Sequence, residues 1–203
     1  MEKLDIKNKQ VLGLQLPTDP RWVNLASMQM EEILTDHAYC EQKAASACIS
    51  LIQAFPDYPE VVEALAPIVT EEWGHFRQVL AELNKRNLHL GRQRKDQYVH
   101  ALNQYITKGL PRTEALVERL LMCALIEARS AERFRLLSEQ LSDEHMQVFY
   151  YKFMVSEAGH YKLFLQLCKL YMPEEKVMQR WREWLAYEKE ILKDFPTRGD
   201  RMH

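Results

Sequence analysis

The sequence predicts an all-α chain: a four-helix bundle of two antiparallel helix hairpins joined by a long crossover, with extra helices at the N- and C-terminal ends. Three observations predict it. Gly and Pro number only 6 and 8 of 203 residues, while strong helix formers abound. Apolar residues recur at steps of three and four in four long stretches, the period of a helix face. The first and second stretches, and the third and fourth, are separated by short connectors, whereas the middle connection is long.

In chain order, residues 1–17 alternate Lys and apolar residues without a clear period and read as an arm. Thr18-Asp19-Pro20 supplies an N-cap followed by Pro, a start signal for a short helix. The first long helix is expected from about Met28 to Phe55, with Met30, Leu34, His37, Glu41, Ala44, Cys48, Leu51 and Phe55 on one stripe. Pro56 and Pro59 end it. The second runs from about Glu60 to Asn87, with Val61, Leu65, Ile68, Glu72, His75 and Val79 in line and Pro67 expected to kink its first half. Residues 88–112 form the polar crossover, with a short helix around Tyr98 to Tyr105. The third helix, about Thr113 to Leu141, carries Leu116, Leu120, Cys123, Glu127, Ser130, Phe134 and Leu137. After a turn at Ser142-Asp143, the fourth runs to about Met172 with Met146, Tyr150, Phe153, Glu157, His160, Phe164 and Leu167. Residues 174–192 form a further C-terminal helix, and Arg198–His203 reads as a frayed tail. Length and mass, 203 residues and 24.1 kDa, suit one domain over 1–203.

The chemistry lies on the stripes. Glu157-Ala-Gly-His160 places a carboxylate and an imidazole three residues apart, on one side of a helix. With 21 Glu and 7 His, roughly 0.7 such pairs arise by chance, so one alone means little. A second, Glu72-Trp-Gly-His75, exists. Each pair follows another stripe Glu by 31 and 30 residues, Glu41 and Glu127, which makes a two-fold internal repeat. On each stripe that Glu is the only formally charged residue, so a core position holds a carboxylate four times. Four unpaired buried charges, at several kcal/mol each, would exhaust a stability of ~5–15 kcal/mol. Two divalent cations balance them, with two neutral imidazoles completing the donor set. Oxygen and nitrogen donors without thiolate favour iron or manganese over structural zinc. This is the layout of ferritin-like di-metal bundles. The bland alternative puts Glu72 and Glu157 on solvated faces, with the histidines as satisfied core residues. Glu132, off the stripe, is the substitute for Glu127. His37, one turn before Glu41, is either a plain buried histidine or a hydrogen-bond partner of a ligand. Ala44 and Ser130, small where Leu is usual, either leave room for dioxygen and substrate or let helices approach.

The segments around those six residues, Tyr39-Cys-Glu41-Gln-Lys, Glu71-Glu72-Trp-Gly-His75-Phe76, Ile126-Glu127-Ala-Arg-Ser130 and Ser156-Glu157-Ala-Gly-His160-Tyr161, resemble the MiaE family of tRNA hydroxylases. The likeness spans about Pro17 to Tyr187 and includes Asp19-Pro-Arg-Trp22. It implies a non-haem diiron monooxygenase using O2 and two electrons from an unidentified donor. Its substrate would be the isopentenyl group of 2-methylthio-N6-isopentenyl adenosine beside the tRNA anticodon. Glu41, Glu72, His75, Glu127, Glu157 and His160 would hold two irons, with Phe153, Phe164 and Leu120 as an apolar wall for the prenyl chain.

A net charge of −2 excludes a generally basic nucleic-acid binder but not a local patch. The one suitable stretch holds Lys85, Arg86, Arg92, Arg94 and Lys95 and is expected to contact tRNA phosphates; its plain alternative is a solvated helix end. The competing function is a ferritin-like iron store or peroxide scavenger, and a third is an interaction module with a structural metal. The Cys-x-x-Cys module expected of a rubrerythrin-type scavenger is missing. No apolar run reaches the ~18 residues of a membrane span. Together with four cysteines (Cys40, Cys48, Cys123, Cys168) lacking C-x-x-C spacing and a charged N-terminus, this points to the cytoplasm.

Overall fold

The computed structural model describes residues 11–203, so most of the expected N-terminal arm, residues 1–10, lies outside the described residues. A 3-10 turn, Val11–Gly13, precedes seven α-helices: α1 Trp22–Ser27, α2 Met30–Ala54, α3 Pro59–Lys85, α4 Gln97–Tyr105, α5 Arg112–Gln140, α6 Glu144–Tyr171 and α7 Glu174–Lys193. Among the described residues there is no strand. The bundle is α2–α3 and α5–α6, two tight hairpins linked through the crossover that contains α4. This is the ferritin-like four-helix bundle.

Local chemistry explains the boundaries. Pro59 opens α3 at a first-turn position where its missing N–H costs nothing. Asp143 caps α6 by accepting from the Met146 N–H at 3.2 Å, and Asp96 caps α4 through the Val99 N–H at 3.0 Å. α3 runs without interruption through Pro67, so the expected kink does not break it. The short first helix begins later than Thr18-Asp19-Pro20 suggests. Asp19 accepts from the Arg21 N–H at 2.9 Å and holds the Arg21 guanidinium at 2.6 Å, closing a turn before Trp22 starts α1.

Two apolar cores sit at the two ends of the bundle. One gathers Leu51, Leu65, Leu120, Phe164 and the α7 residues Trp181 and Trp184; the other gathers Leu34, Val79, Phe134, Tyr150 and Phe153 with Trp22 of α1. On every bundle helix the conspicuous Glu falls where the stripe passes from one core to the other, at Glu41, Glu72, Glu127 and Glu157. A buried polar layer thus separates two greasy ones. The tail is not frayed. Met202 is 1% exposed, its N–H donates to Asp36 Oδ2 at 2.8 Å, and Gly199 passes so close to the Leu25 backbone that a Cβ would lie 2.3 Å from it.

Candidate metal centre

The polar layer takes one residue from each of two helices and two from each of the other two. Glu41 comes from α2, Glu72 and His75 from α3, Glu127 from α5, and Glu157 and His160 from α6. None of these six is more than 8% exposed. Their donor atoms form two groups, Glu41–Glu72–His75–Glu157 and Glu72–Glu127–Glu157–His160, within each of which all atoms lie within 4.8 Å of one another. Glu72 and Glu157 belong to both. Two four-donor sites sharing two carboxylates is what a pair of neighbouring cations requires. The donor chemistry fits as well. Both oxygens of Glu72, Glu157 Oε1, and the Nδ1 atoms of His75 and His160 are buried with no hydrogen-bond partner outside the donor set, His160 Nδ1 lying 2.7 Å from Glu72 Oε1, which is unusual unless something else satisfies them.

Electrostatics point the same way. Burial and the neighbouring Glu157 and Glu72 charges push the Glu41 and Glu127 carboxyls well above the usual carboxylate range. Burial opposes charge on Glu72 too, but His160 and His75 outweigh it and hold this carboxyl down at about 2. Burial disfavours the imidazolium forms, yet the surrounding carboxylates raise His75 to about 10 and His160 to about 11. The chain therefore gathers protons where cations would bring positive charge. Binding metal displaces those protons.

Around the layer lie Glu71, which spacing did not single out, and His37 and Glu132, which it did. Glu71, half-exposed, puts one carboxylate oxygen 3.3 Å from His160 Nε2 and the other 3.9 Å from His75 Nε2, on the ring side facing away from the shared carboxylates. Ser156 donates to Glu71 at 2.5 Å and fixes it. His37 is fully buried, with Nε2 2.8 Å from Glu41 Oε1, inside a cage of Phe134, Phe149, Tyr150 and Phe153, and burial holds its pKa well below the ordinary value. Glu132 is no substitute ligand: it pairs with Arg129 and accepts from Thr18.

Beside Glu127 lies an apolar cavity of about 100 Å³, with Ala44, Cys48, Met122, Cys123, Ile126 and Phe164 in its wall. Of the expected prenyl wall only Phe164 is there. Phe153 packs against His37, His75 and Phe134, and Leu120 is buried in the core beyond. The stripe locates these side chains inside the bundle but not on which side of the polar layer they fall. Ala44 does leave room, lining the cavity. Ser130 does not line it; its hydroxyl is 3.0 Å from His203 Nε2 in the docked tail. The basic stretch is partly committed elsewhere. Arg86 pairs with Glu82 and Asp143, Arg94 with Asp200, and Lys85 lies 3.6 Å from Glu82, whereas Arg92 and Lys95 are exposed.

The profile of the family described as tRNA-(MS[2]IO[6]A)-hydroxylase (MiaE) matches residues 6–203. The chain belongs to the MiaE family. A Pseudomonas putida relative named tRNA 2-(methylsulfanyl)-N(6)-isopentenyladenosine(37) hydroxylase is 33% identical over 190 residues, spanning 94% of this chain and 91% of its own. A Salmonella typhimurium protein of the same name is 26% identical, over 94% of this chain and 87% of its own. Among solved structures, one described as Protein 43 with aldehyde deformylating oxygenase activity from Synechococcus superposes with a TM-score of 0.88 at 36% identity, covering 94% of both chains. MiaE membership and the buried carboxylate and histidine clusters together suit a metal centre. No helix among the described residues is long and apolar enough to cross a membrane.

Proposed function

We propose that this chain is a tRNA hydroxylase that inserts one oxygen from O2 into the isopentenyl group of 2-methylthio-N6-isopentenyl adenosine, using a diiron centre and two electrons from a separate donor. One observation carries the metal part of this reading: six buried donors in two groups that share Glu72 and Glu157, several of their donor atoms having no hydrogen-bond partner outside the set. The substrate rests on the family and on the names of its members. Those names favour hydroxylation over iron storage or peroxide scavenging. Such a substrate belongs in the cytoplasm.

In this reading Glu41, Glu72, His75, Glu127, Glu157 and His160 hold the two irons. When bound, the irons supply activation of O2 with two added electrons, chemistry no side chain provides. The chain supplies the rest. The apolar cores on either side of the donor layer exclude water from a strong oxidant. The cavity beside Glu127 presents alkyl, thiol and ring surfaces to a short branched alkenyl chain and offers few polar groups to compete for it. Cys48 and Cys123 in its wall are kept as thiols, burial raising Cys123 to about 12 and Cys48 further, so they neither ligate nor oxidise readily.

The test is nucleoside analysis of prenylated tRNA before and after incubation with iron-loaded, reduced protein under labelled O2. One labelled oxygen on the prenyl group is expected. Consumption of O2 with ferric mineral accumulating and unmodified tRNA would refute the reading.

A further inference from the structure

Two cavities share a wall made by two side chains, Asp96 and His203. A cleft of about 490 Å³ opens between the 16–22 segment, the start of α4, α5 and the 195–203 segment. The apolar cavity beside Glu127 lies behind it, and Asp96 and His203 line both. Asp96 is neutralised by its ion pair with Lys43. His203 is the movable part of the partition. Its neighbour Met202 is pinned through the backbone to Asp36, while among the described residues the imidazole itself is held only by side chains: Ser130 at 3.0 Å from Nε2, Cys40 Sγ at 3.9 Å from Nδ1, and stacking on Tyr98 at 5.0 Å between centroids.

The cleft is rich in cations, most of them already matched. Arg21 is paired with Asp19, Arg129 with Glu132 and Glu188, Arg198 with Asp200 and Arg201 with Asp36. Arg133 is different. It lies 4.7 Å over the Trp22 ring and donates to the Arg201 carbonyl, with Nε buried and without an acceptor and no carboxylate in ion-pair range among the described residues. Lys95, exposed on the same cleft, likewise has no carboxylate partner among the described residues. An uncompensated guanidinium and a second unpaired cation lining one cleft supply charge that a phosphate can neutralise.

We infer that this cleft docks the nucleotide bearing the prenyl group, its phosphates on Arg133 and Lys95, and that the His203 imidazole is the gate the prenyl chain displaces to reach the cavity beside Glu127. The inference rests on the hydroxylase reading and names where that substrate enters. It narrows the basic stretch to Lys95 and adds Arg133, which lies outside it.

Titration of the full-length protein with prenylated tRNA over a range of salt tests the docking. Lys95→Glu and Arg133→Gln should each weaken binding roughly 3- to 10-fold and flatten the salt dependence by about one unit of slope. Competition by adenosine 5′-monophosphate that disappears in Arg133→Gln assigns the contact to the substrate nucleotide's own phosphate. Weakened tRNA binding with no such competition assigns it to the polymer backbone. Unchanged affinity and slope in both variants overturn the docking, and Lys95→Glu on the exposed rim decides alone if Arg133→Gln does not fold. His203→Ala tests the gate. Its kcat/KM for tRNA carrying a bulkier N6-benzyl group, relative to isopentenyl, should rise about 5-fold or more, and an unchanged ratio overturns it. Absence of any hydroxylation by the unaltered protein would instead strike the hydroxylase reading, leaving the binding titration to judge the cleft.

Discussion

Replacing Glu127 by Gln should stabilise the metal-free protein and remove the part of its response to metal that comes from the group Glu127 completes. Glu127 is 5% exposed, and burial together with the Glu157 and Glu72 charges raises its pKa well above the ordinary carboxylate value. A group raised on folding contributes its full stability below its unfolded pKa, near 4.3, and loses it as pH climbs toward the folded value. At pH 7 the resulting penalty is at most 1.36 kcal/mol for each pH unit above 4.3, about 3–4 kcal/mol. Gln, neutral and of the same shape, escapes it. For a chain of 203 residues a kcal/mol moves the thermal midpoint about 2–4 °C, so metal-free Glu127→Gln should melt up to roughly 10 °C higher at pH 7, the gap closing toward pH 4. Iron(II) or manganese(II) at about 100 times its dissociation constant should stabilise the unaltered protein by ~2.7 kcal/mol per ion. The variant should lose the increment of one ion, that of the group containing Glu127. Thermal scans at pH 4 and 7, with and without metal under anaerobic conditions, check both halves. A variant that melts several degrees lower without metal, yet keeps the metal increment, would show that Glu127 is an ordinary paired carboxylate and refute the reasoning.

Glu71→Gln should reduce metal affinity about 10- to 100-fold with little change in fold, because Glu71 faces the outer nitrogens of both histidines; competition with a chelator measures it. Arg129→Met should cost ~3–5 kcal/mol in urea denaturation, since it strands the buried Glu132 and Glu188 and frees the Leu16 carbonyl, and a loss below 1 kcal/mol would sink that account. Glu82 is opposed by burial but held below its ordinary pKa by His145 and Arg86. Its depressed value contributes stability present above the unfolded pKa and lost as pH falls through the acid range. Glu82→Gln should therefore cost about 1–2 kcal/mol at pH 7 and almost nothing below pH 4, as read from urea midpoints at the two pH values.

The donor layer was legible in the sequence because a charge in a core position contradicts the pattern around it, and four such contradictions repeated in order. Asp143 was legible for the opposite reason, as a residue whose local preference and structural role agree. What escaped was decided by distant partners. Arg86 and Arg94 read as free cations until Asp143 and Asp200, 57 and 106 residues away, close on them. The tail read as frayed because Gly199, Asp200 and Arg201 are ordinary end-of-chain residues, and only the Leu25 backbone and Asp36 give them a place. Glu71 was hidden beside Glu72, since periodicity marks the residue pointing inward and says little of a neighbour that reaches back over the histidines.

The two hairpins stand in a reciprocal relation at the donor layer. The first, α2–α3, brings Glu41, Glu72 and His75 to one group and receives a single carboxylate, Glu157, from the second; the second, α5–α6, brings Glu127, Glu157 and His160 and receives Glu72 in return. Neither hairpin can complete a group by itself. Each can form early, from contacts local in sequence, with three donors converging and a fourth place open. Docking the halves is then the act that finishes both groups together, so occupation of either one reports on the alignment of the entire bundle, and a misaligned pair of hairpins would be unable to retain a cation in either place.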